Sequence, residues 1–208
     1  MKIVNILFYL SLLVLNSCNA NDNDTFNNDN VQQVESRKKR DSSQQEELPQ
    51  EKITLTPEES KMFNSLVTAF KYTIHKLNNE IQGCNNGNKD KCNNFFDWLS
   101  SIDTQKQKEL AKAFTKTYDF LESKRKSKAS DEDFDTYIKG AIDCENNCND
   151  NKHGSGKVGE NEIREYFRGV AGSIFTDKND KDGIYKSLKE ELLKEDSHYS
   201  GLTTNWQN

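Results

Sequence analysis

The sequence predicts an all-α fold, a small helical bundle of about five to six helices behind a disordered N-terminal tether, and three observations predict it. From Phe63 onward, large apolar residues recur at spacings of three and four, the period of a helix with one buried face. No stretch alternates convincingly at the period of two that a half-buried strand requires. Asn19 to Lys52 is instead rich in Asn, Asp, Gln, Ser and Glu, with Phe26, Val31, Val34 and Leu48 as isolated apolar residues. Such a segment buries too little apolar surface to offset the entropy of ordering it.

The helical part is expected from about Thr56 to Leu193, as one domain. Thr56-Pro57-Glu58-Glu59 is a strong helix start, with Thr56 as N-cap, Pro57 at the first position and Glu59 closing a capping box. Phe63, Val67, Phe70, Ile74, Leu77 and Ile81 then form one stripe, and Gly83 stands where a left-handed C-terminal cap is expected. Phe95, Phe96, Trp98, Leu99 and Ile102 mark a short second helix. Leu110, Phe114, Thr117, Tyr118 and Leu121 mark a third, ending in Lys124-Arg125-Lys126, whose charges complement the helix dipole. Ser130 to Asp133 reads as the next start, with Phe134, Tyr137, Ile138, Ala141 and Ile142 on the buried face. Ile163, Tyr166, Phe167, Val170, Ile174 and Phe175 predict a fifth helix, and Ile184, Leu188 and Leu192 a sixth that is expected to begin at Asp182. The core is therefore dominated by Phe and Tyr.

The N-terminus carries a different signal. Met1-Lys2 is followed by an apolar run from Ile3 to Leu15 that only Asn5 and Ser11 interrupt. It is shorter than the roughly 20 residues a membrane-spanning helix needs and matches a cleaved secretory core. The run ends in Leu15-Asn16-Ser17-Cys18, which resembles a bacterial lipobox: a leucine three places before the cysteine, a small residue just before it, and an acceptor thiol. Asn16 departs from the stricter form of that motif. Cys18 is thus the expected lipid attachment site and first mature residue, with membrane lipid as its partner. One chain holds marginally and two or three hold stably, at about 0.8 kcal/mol per buried CH₂.

This divides the chain into a signal peptide over 1–17, a lipidated cysteine with its tether over 18–55, and a helical domain over 56–208. A tether from Asn19 to Lys52 has a typical reach of about 30–35 Å. Within it, Arg37-Lys38-Lys39-Arg40 is the one dense basic run; contact with anionic lipid or an anionic polymer is the sharper reading, solvated linker the plainer one. The net charge of the whole chain is −5. No nucleic-acid partner is expected, because phosphate contacts require concentrated Lys and Arg.

Four cysteines lie in the helical part: Cys84, Cys92, Cys144 and Cys148. Each pair flanks a polar loop, and export favours persistent disulfides. The local pairings Cys84 with Cys92 and Cys144 with Cys148 are favoured, with crossed pairing between the loops as the alternative. A four-thiol zinc site fits poorly, since seven and three intervening residues do not make two short-spaced ligand pairs.

Candidate chemistry is sparse. Asp177-Lys178-Asn179-Asp180-Lys181-Asp182-Gly183 resembles a calcium loop, but in either register lysine occupies a ligand position or glycine is misplaced; an interhelical turn is expected. His75, His153 and His198 have no second histidine or carboxylate at ligand spacing and no nucleophile motif beside them, and surface or loop positions are expected for them. Gly154-Ser155-Gly156 and Gly159 follow no strand and precede no phosphate-loop lysine. No catalytic residue, metal or cofactor is expected.

Taken together, MKIVNILFYLSLLVLNSC, SRKKRD, LTPEE, KYTIHKLNNEIQGCNNGNKDKCNNFFDWLS, DFDTYIKGAIDC and EYFRGVAGSIFTDKND resemble the Mlp family, the multicopy plasmid-borne lipoproteins of Lyme disease Borrelia. The resemblance covers nearly the full chain. It implies an outer-membrane, lipid-anchored, surface-exposed and antigenic lipoprotein that participates in pathogenesis, with a host protein or antibody as partner. It carries over Cys18 as the palmitate-bearing residue and no catalytic motif. A periplasm-facing structural or assembly lipoprotein is the alternative.

Overall fold

The computed structural model describes residues 53–144, 152–153 and 161–206. All seven helices among them are α: α1 (Pro57–Leu77), α2 (Lys89–Leu99), α3 (Thr104–Lys128), α4 (Phe134–Asp143), α5 (Glu162–Phe175), α6 (Lys181–Leu193) and α7 (His198–Thr204). The all-α expectation holds, and no strand occurs among the described residues. The signal peptide, the tether with Arg37 to Arg40, Cys18 and Cys148 lie outside the described residues.

Helix starts follow the local chemistry closely. At α1 the Glu59 N–H donates to Thr56 Oγ1 (3.1 Å) and the Thr56 N–H donates to Glu59 Oε2 (3.0 Å), the reciprocal capping box. Asp103, Asp133, Asn161 and Asp180 cap α3, α4, α5 and α6 with their side-chain oxygens, satisfying backbone N–H groups that have no intrahelical acceptor.

Helix ends depart from expectation in three places. The stripe to Ile81 is one turn longer than the helix: α1 stops at Leu77, where Asn78 and Asn79 follow. Asparagine competes with the helical backbone for hydrogen bonds. Ile81 is nevertheless fully buried, because the Glu80 and Ile81 N–H groups both donate to Leu77 O (2.9 and 3.1 Å) and turn the chain inward. Gly83 is left-handed (φ +85°) but belongs to this later turn. A methyl group there would meet the Phe175 carbonyl oxygen at 2.4 Å, so close approach to the end of α5 requires glycine. The sixth helix starts one residue before Asp182 and is capped by Asp180. It is not the last, because α7 follows. With only Tyr199 and Leu202 as large apolar residues, α7 offers too short a stripe for periodicity to register.

α1 packs against α2, α3, α4 and α5, and α5 in turn packs against α4, α6 and α7. The two helices therefore share the core. Phe70 of α1 stacks on Phe96 of α2 with ring centroids 5.4 Å apart and planes within 7°, and meets Phe167 of α5 edge-on at 5.2 Å. Phe95 and Phe96 both meet Phe175 edge-on (5.7 and 6.0 Å). On the α3 side Tyr118 stacks on Phe134 at 4.3 Å. Each such pair contributes about 0.5–1.5 kcal/mol beyond its buried area.

Phe70 is fully buried and touches two other rings, so Phe70→Ala is expected to destabilise the domain by about 3–5 kcal/mol. Urea unfolding checks this; a loss under about 1 kcal/mol would show that the ring cluster does not organise the core.

Candidate functional site

Cys84 and Cys92 form the expected local disulfide, with Cα atoms 5.8 Å apart and both side chains inaccessible to solvent. The bridge ties the turn after α1 to the first turn of α2. Inside the loop, Asn86 and Gly87 have φ of +54° and +85°, and the Asn88 N–H donates to Asn85 O (3.1 Å). Two positive φ values under such a bond are those of a type I′ turn, for which Asn-Gly is the favoured pair. Cys144, the C-cap of α4, is also disulfide-bonded.

The carbonyls that end α4 are held by α5. Asn161 Nδ2 donates to Ala141 O (2.8 Å) and Arg164 Nη1 donates to Ile142 O (2.8 Å), while Arg164 Nη2 pairs with Glu80 at 2.8 Å. These buried groups bond carbonyls of the last turn of α4, where helical N–H donors run out; Ala141 O accepts in addition from the Cys144 N–H (3.2 Å). Beside them Tyr72 donates to Asp143 Oδ2 (2.5 Å) and Lys76 pairs with Asp143 Oδ1 (2.7 Å). Lys76 and Tyr72 together hold the Asp143 carboxyl below its ordinary range, against the opposing effect of burial, which is the largest influence on it.

The three histidines occupy three different settings. His75 is exposed on α1. His153 lies in the loop between α4 and α5 as expected, but it is buried, its ring 5.1 Å from that of Tyr137. His198 is in α7, and its Nε2 lies 3.0 Å from Ser173 Oγ and 3.9 Å from Glu191 Oε2. The surface or loop expectation holds for His75 and for the loop position of His153; the burial of His153 and the seat of His198 on a helix, half-buried against α5, are what it lacked. Only tertiary packing brings α5 and α7 together, and Gly169 makes the room: a methyl group there would sit 2.5 Å from His198 Nδ1. Ser, His and Glu do not make a hydrolytic triad here. Hydroxyl and carboxylate both address Nε2, whereas a relay needs the acid on the opposite nitrogen.

The acidic segment at 177–183 is an interhelical turn. Asp180 is committed to capping α6, and Lys91 Nζ donates to Lys178 O (2.9 Å), placing an ammonium group against this segment. No group of three or more His, Cys, Asp or Glu suited to a metal occurs among the described residues.

A hollow of about 580 Å³ between α1, α3 and α4 is lined by Lys61, Glu122, Arg125, Asp133 and Lys139 among others. Arg125 grips Glu122 with two bonds (2.7 and 2.9 Å), and this pairing pulls the Glu122 carboxyl down. Lys61 is pushed up, chiefly by the neighbouring Tyr118. Across α3 and α6, Lys189 lies 2.7 Å from Glu109 Oε2, and that bond, with help from Gln105 and Tyr185, pulls Glu109 down to about 2. These shifts deepen the ordinary ionised forms. A general acid or base needs the reverse, a value brought toward neutrality.

A family profile described as the Mlp lipoprotein family matches residues 31–188. The chain belongs to the Mlp lipoprotein family. Lipoprotein MlpJ of Borreliella burgdorferi is 65% identical over the whole of both chains, and lipoprotein MlpB of the same species is 66% identical, again over the whole of both. Lipoprotein MlpA is 64% identical over 50 residues, 24% of this chain and 33% of its own. No solved structure matches. Within the Mlp family framework the all-α head, the Cys84–Cys92 loop and the α4–α5 clamp belong to a lipoprotein. Sequence reading did not single out Asn161, Arg164, Gly169 or Ser173, since each acquires its role from a neighbour distant in the chain. The Asn86-Gly87 dipeptide did carry a local turn signal.

Burial lowers the His198 value from 6.5; Glu191 opposes this, and Lys194 and Arg168 reinforce it. The unfolded chain therefore takes up the proton first. Stability from neutral His198 is fully present above pH 6.5 and is lost as pH falls below it toward the folded value. Hydrogen-exchange protection of α7 is expected to fall on acidification through that window in the native chain and to stay level in His198→Gln.

Proposed function

We propose that this chain is a lipid-anchored, surface-exposed and antigenic lipoprotein of the outer membrane, without enzymatic activity, whose helical head contacts host proteins or antibodies and so takes part in pathogenesis. The observation that carries the reading is full-length kinship with two Mlp lipoproteins, at 65% and 66% identity. Cys18 is the proposed acylated residue, on the strength of Leu15-Asn16-Ser17-Cys18 after a short apolar run. Two or three acyl chains would hold it stably at the bilayer.

Two features of the head support a binding role over catalysis. Its paired carboxylates and amines are tuned away from neutral pH, as described for Glu109, Glu122 and Lys61. Its surface is dense in charge, 30% of the chain being Asp, Glu, Lys or Arg, so recognition by a partner would rest on polar complementarity more than on one apolar patch.

Radiolabelled fatty acid is expected to enter the native chain and to be absent from Cys18→Ala, which should also leave the detergent phase on partitioning. Label retained by Cys18→Ala would overturn the anchor. Protease added to intact cells is expected to digest the head; survival of the head until the outer membrane is breached would instead support a periplasm-facing assembly or structural role.

A further inference from the structure

The turn inside the Cys84–Cys92 loop carries a combination of features found at no other position in the chain. Of the 24 asparagines, only Asn86 is followed by glycine. Asn86 and Gly87 are both exposed. The Gly87 N–H donates to no acceptor among the described residues, and the Asn86 carboxamide is equally without a hydrogen bond there. Around Gly87 there is open space, with no heavy atom within 4 Å of where a Cβ would stand. The turn bond runs instead from the Asn88 N–H to Asn85 O (3.1 Å), which leaves both reacting groups to solvent.

We propose that Asn86 is a spontaneous deamidation site, with Gly87 supplying the attacking nitrogen and water as the co-reactant. Base removes the Gly87 amide proton, and the nitrogen attacks Asn86 Cγ. The N–Cγ bond closes a five-membered succinimide, the Cγ–Nδ2 bond breaks, and the amide nitrogen departs as ammonia after taking up a proton. Water then opens the ring. Attack at Cγ restores the original peptide link and leaves an aspartate; attack at the main-chain carbonyl leaves an isoaspartate, with the chain continuing through the former side chain. No electrons are exchanged. A residue with a Cβ would shield this nitrogen, as Asn86, Lys89, Asn94 and Phe95 do after Asn85, Asn88, Asn93 and Asn94.

Asn86 holds φ +54° in this turn, a left-handed setting that asparagine tolerates better than most residues with a Cβ. The product adds one negative charge to the exposed loop just ahead of α2. The Asn88 N-cap makes no side-chain capping bond and Asp90 is the one acidic residue in the first turn, so a further carboxylate just ahead of this helix N-terminus still meets the favourable end of the dipole. The modified loop should therefore stay folded.

The test is incubation of the full mature chain, disulfides intact, at body temperature across a series of neutral to mildly alkaline buffers. Peptide mapping is expected to show a mass gain of about one dalton confined to the disulfide-linked peptide that contains Asn86. The rate should rise with pH, and isoaspartyl methyltransferase should label the same peptide. Gly87→Ala is expected to slow the reaction severalfold. Because alanine at φ +85° could perturb the loop, Asn86→Asp serves as a second variant: it should fold, keep the native melting temperature, gain no mass and co-elute with one of the two products. An unchanged mass in the Asn86 peptide would overturn the proposal, as would equal gains at Asn85 or Asn88 or a rate indifferent to pH.

Discussion

Phe70 lies flat against Phe96 and edge-on to Phe167, so the middle of α1 is where α2 and α5 are brought into register. A ring stacked on one neighbour and perpendicular to another can satisfy both only at one depth and one rotation of the helix that bears it. Once α1 is set, Phe175 at the end of α5 falls against Phe95 and Phe96. The Phe175 carbonyl then approaches the chain so closely that only glycine fits at Gly83. The disulfide between Cys84 and Cys92 closes over that junction. The loop after α1 is thus shaped from below by an aromatic contact and from within by a covalent one.

Polar groups finish what the rings begin. Asn161 and Arg164 take up the last carbonyls of α4, which a short helix of this kind would otherwise expose, and Glu80 neutralises the arginine from the turn after α1. Three separate segments meet at one guanidinium. The charges elsewhere follow the same pattern of mutual stabilisation: Glu109 with Lys189, Glu122 with Arg125, Asp143 with Lys76. The first and third of these pairs tie helix to helix at modest gain when exposed, the second lies within α3, and all three hold their carboxyls below the ordinary range. A head built in this way presents a stable, charged surface, in keeping with a membership in the Mlp lipoprotein family that rests on residues 31–188.

α7 shows what a stable scaffold can add late. It contributes one deeply buried apolar residue, Leu202, and its remaining hold on α5 runs through His198, seated over Gly169 and bonded to Ser173. Trp206 just beyond it meets Phe120 edge-on at 5.6 Å, which returns the chain to α3. The C-terminal segment is therefore attached through a few specific contacts, one of them titratable, on a body whose other contacts are mostly apolar.

Elements whose causes are local are legible in the chain alone. Thr56, Pro57 and Glu59 specify the start of α1, Asp133 that of α4, and the three-and-four spacing from Phe63 to Leu77 specifies which face is buried, because capping and periodicity act within one or two turns. The short Cys84–Cys92 loop was legible for the same reason, and the Asn86-Gly87 turn was there to be read. Features whose partners lie far along the chain emerge only when the helices pack. These include the burial of Ile81 beyond the end of its helix, the demand for glycine at 83 and 169, the helix ends held by Asn161 and Arg164, the burial of His153 and the seating of His198 against α5. Each depends on the distance between two elements that no local pattern encodes, since that distance is set by how the aromatic side chains of α1, α2 and α5 fill the space among them.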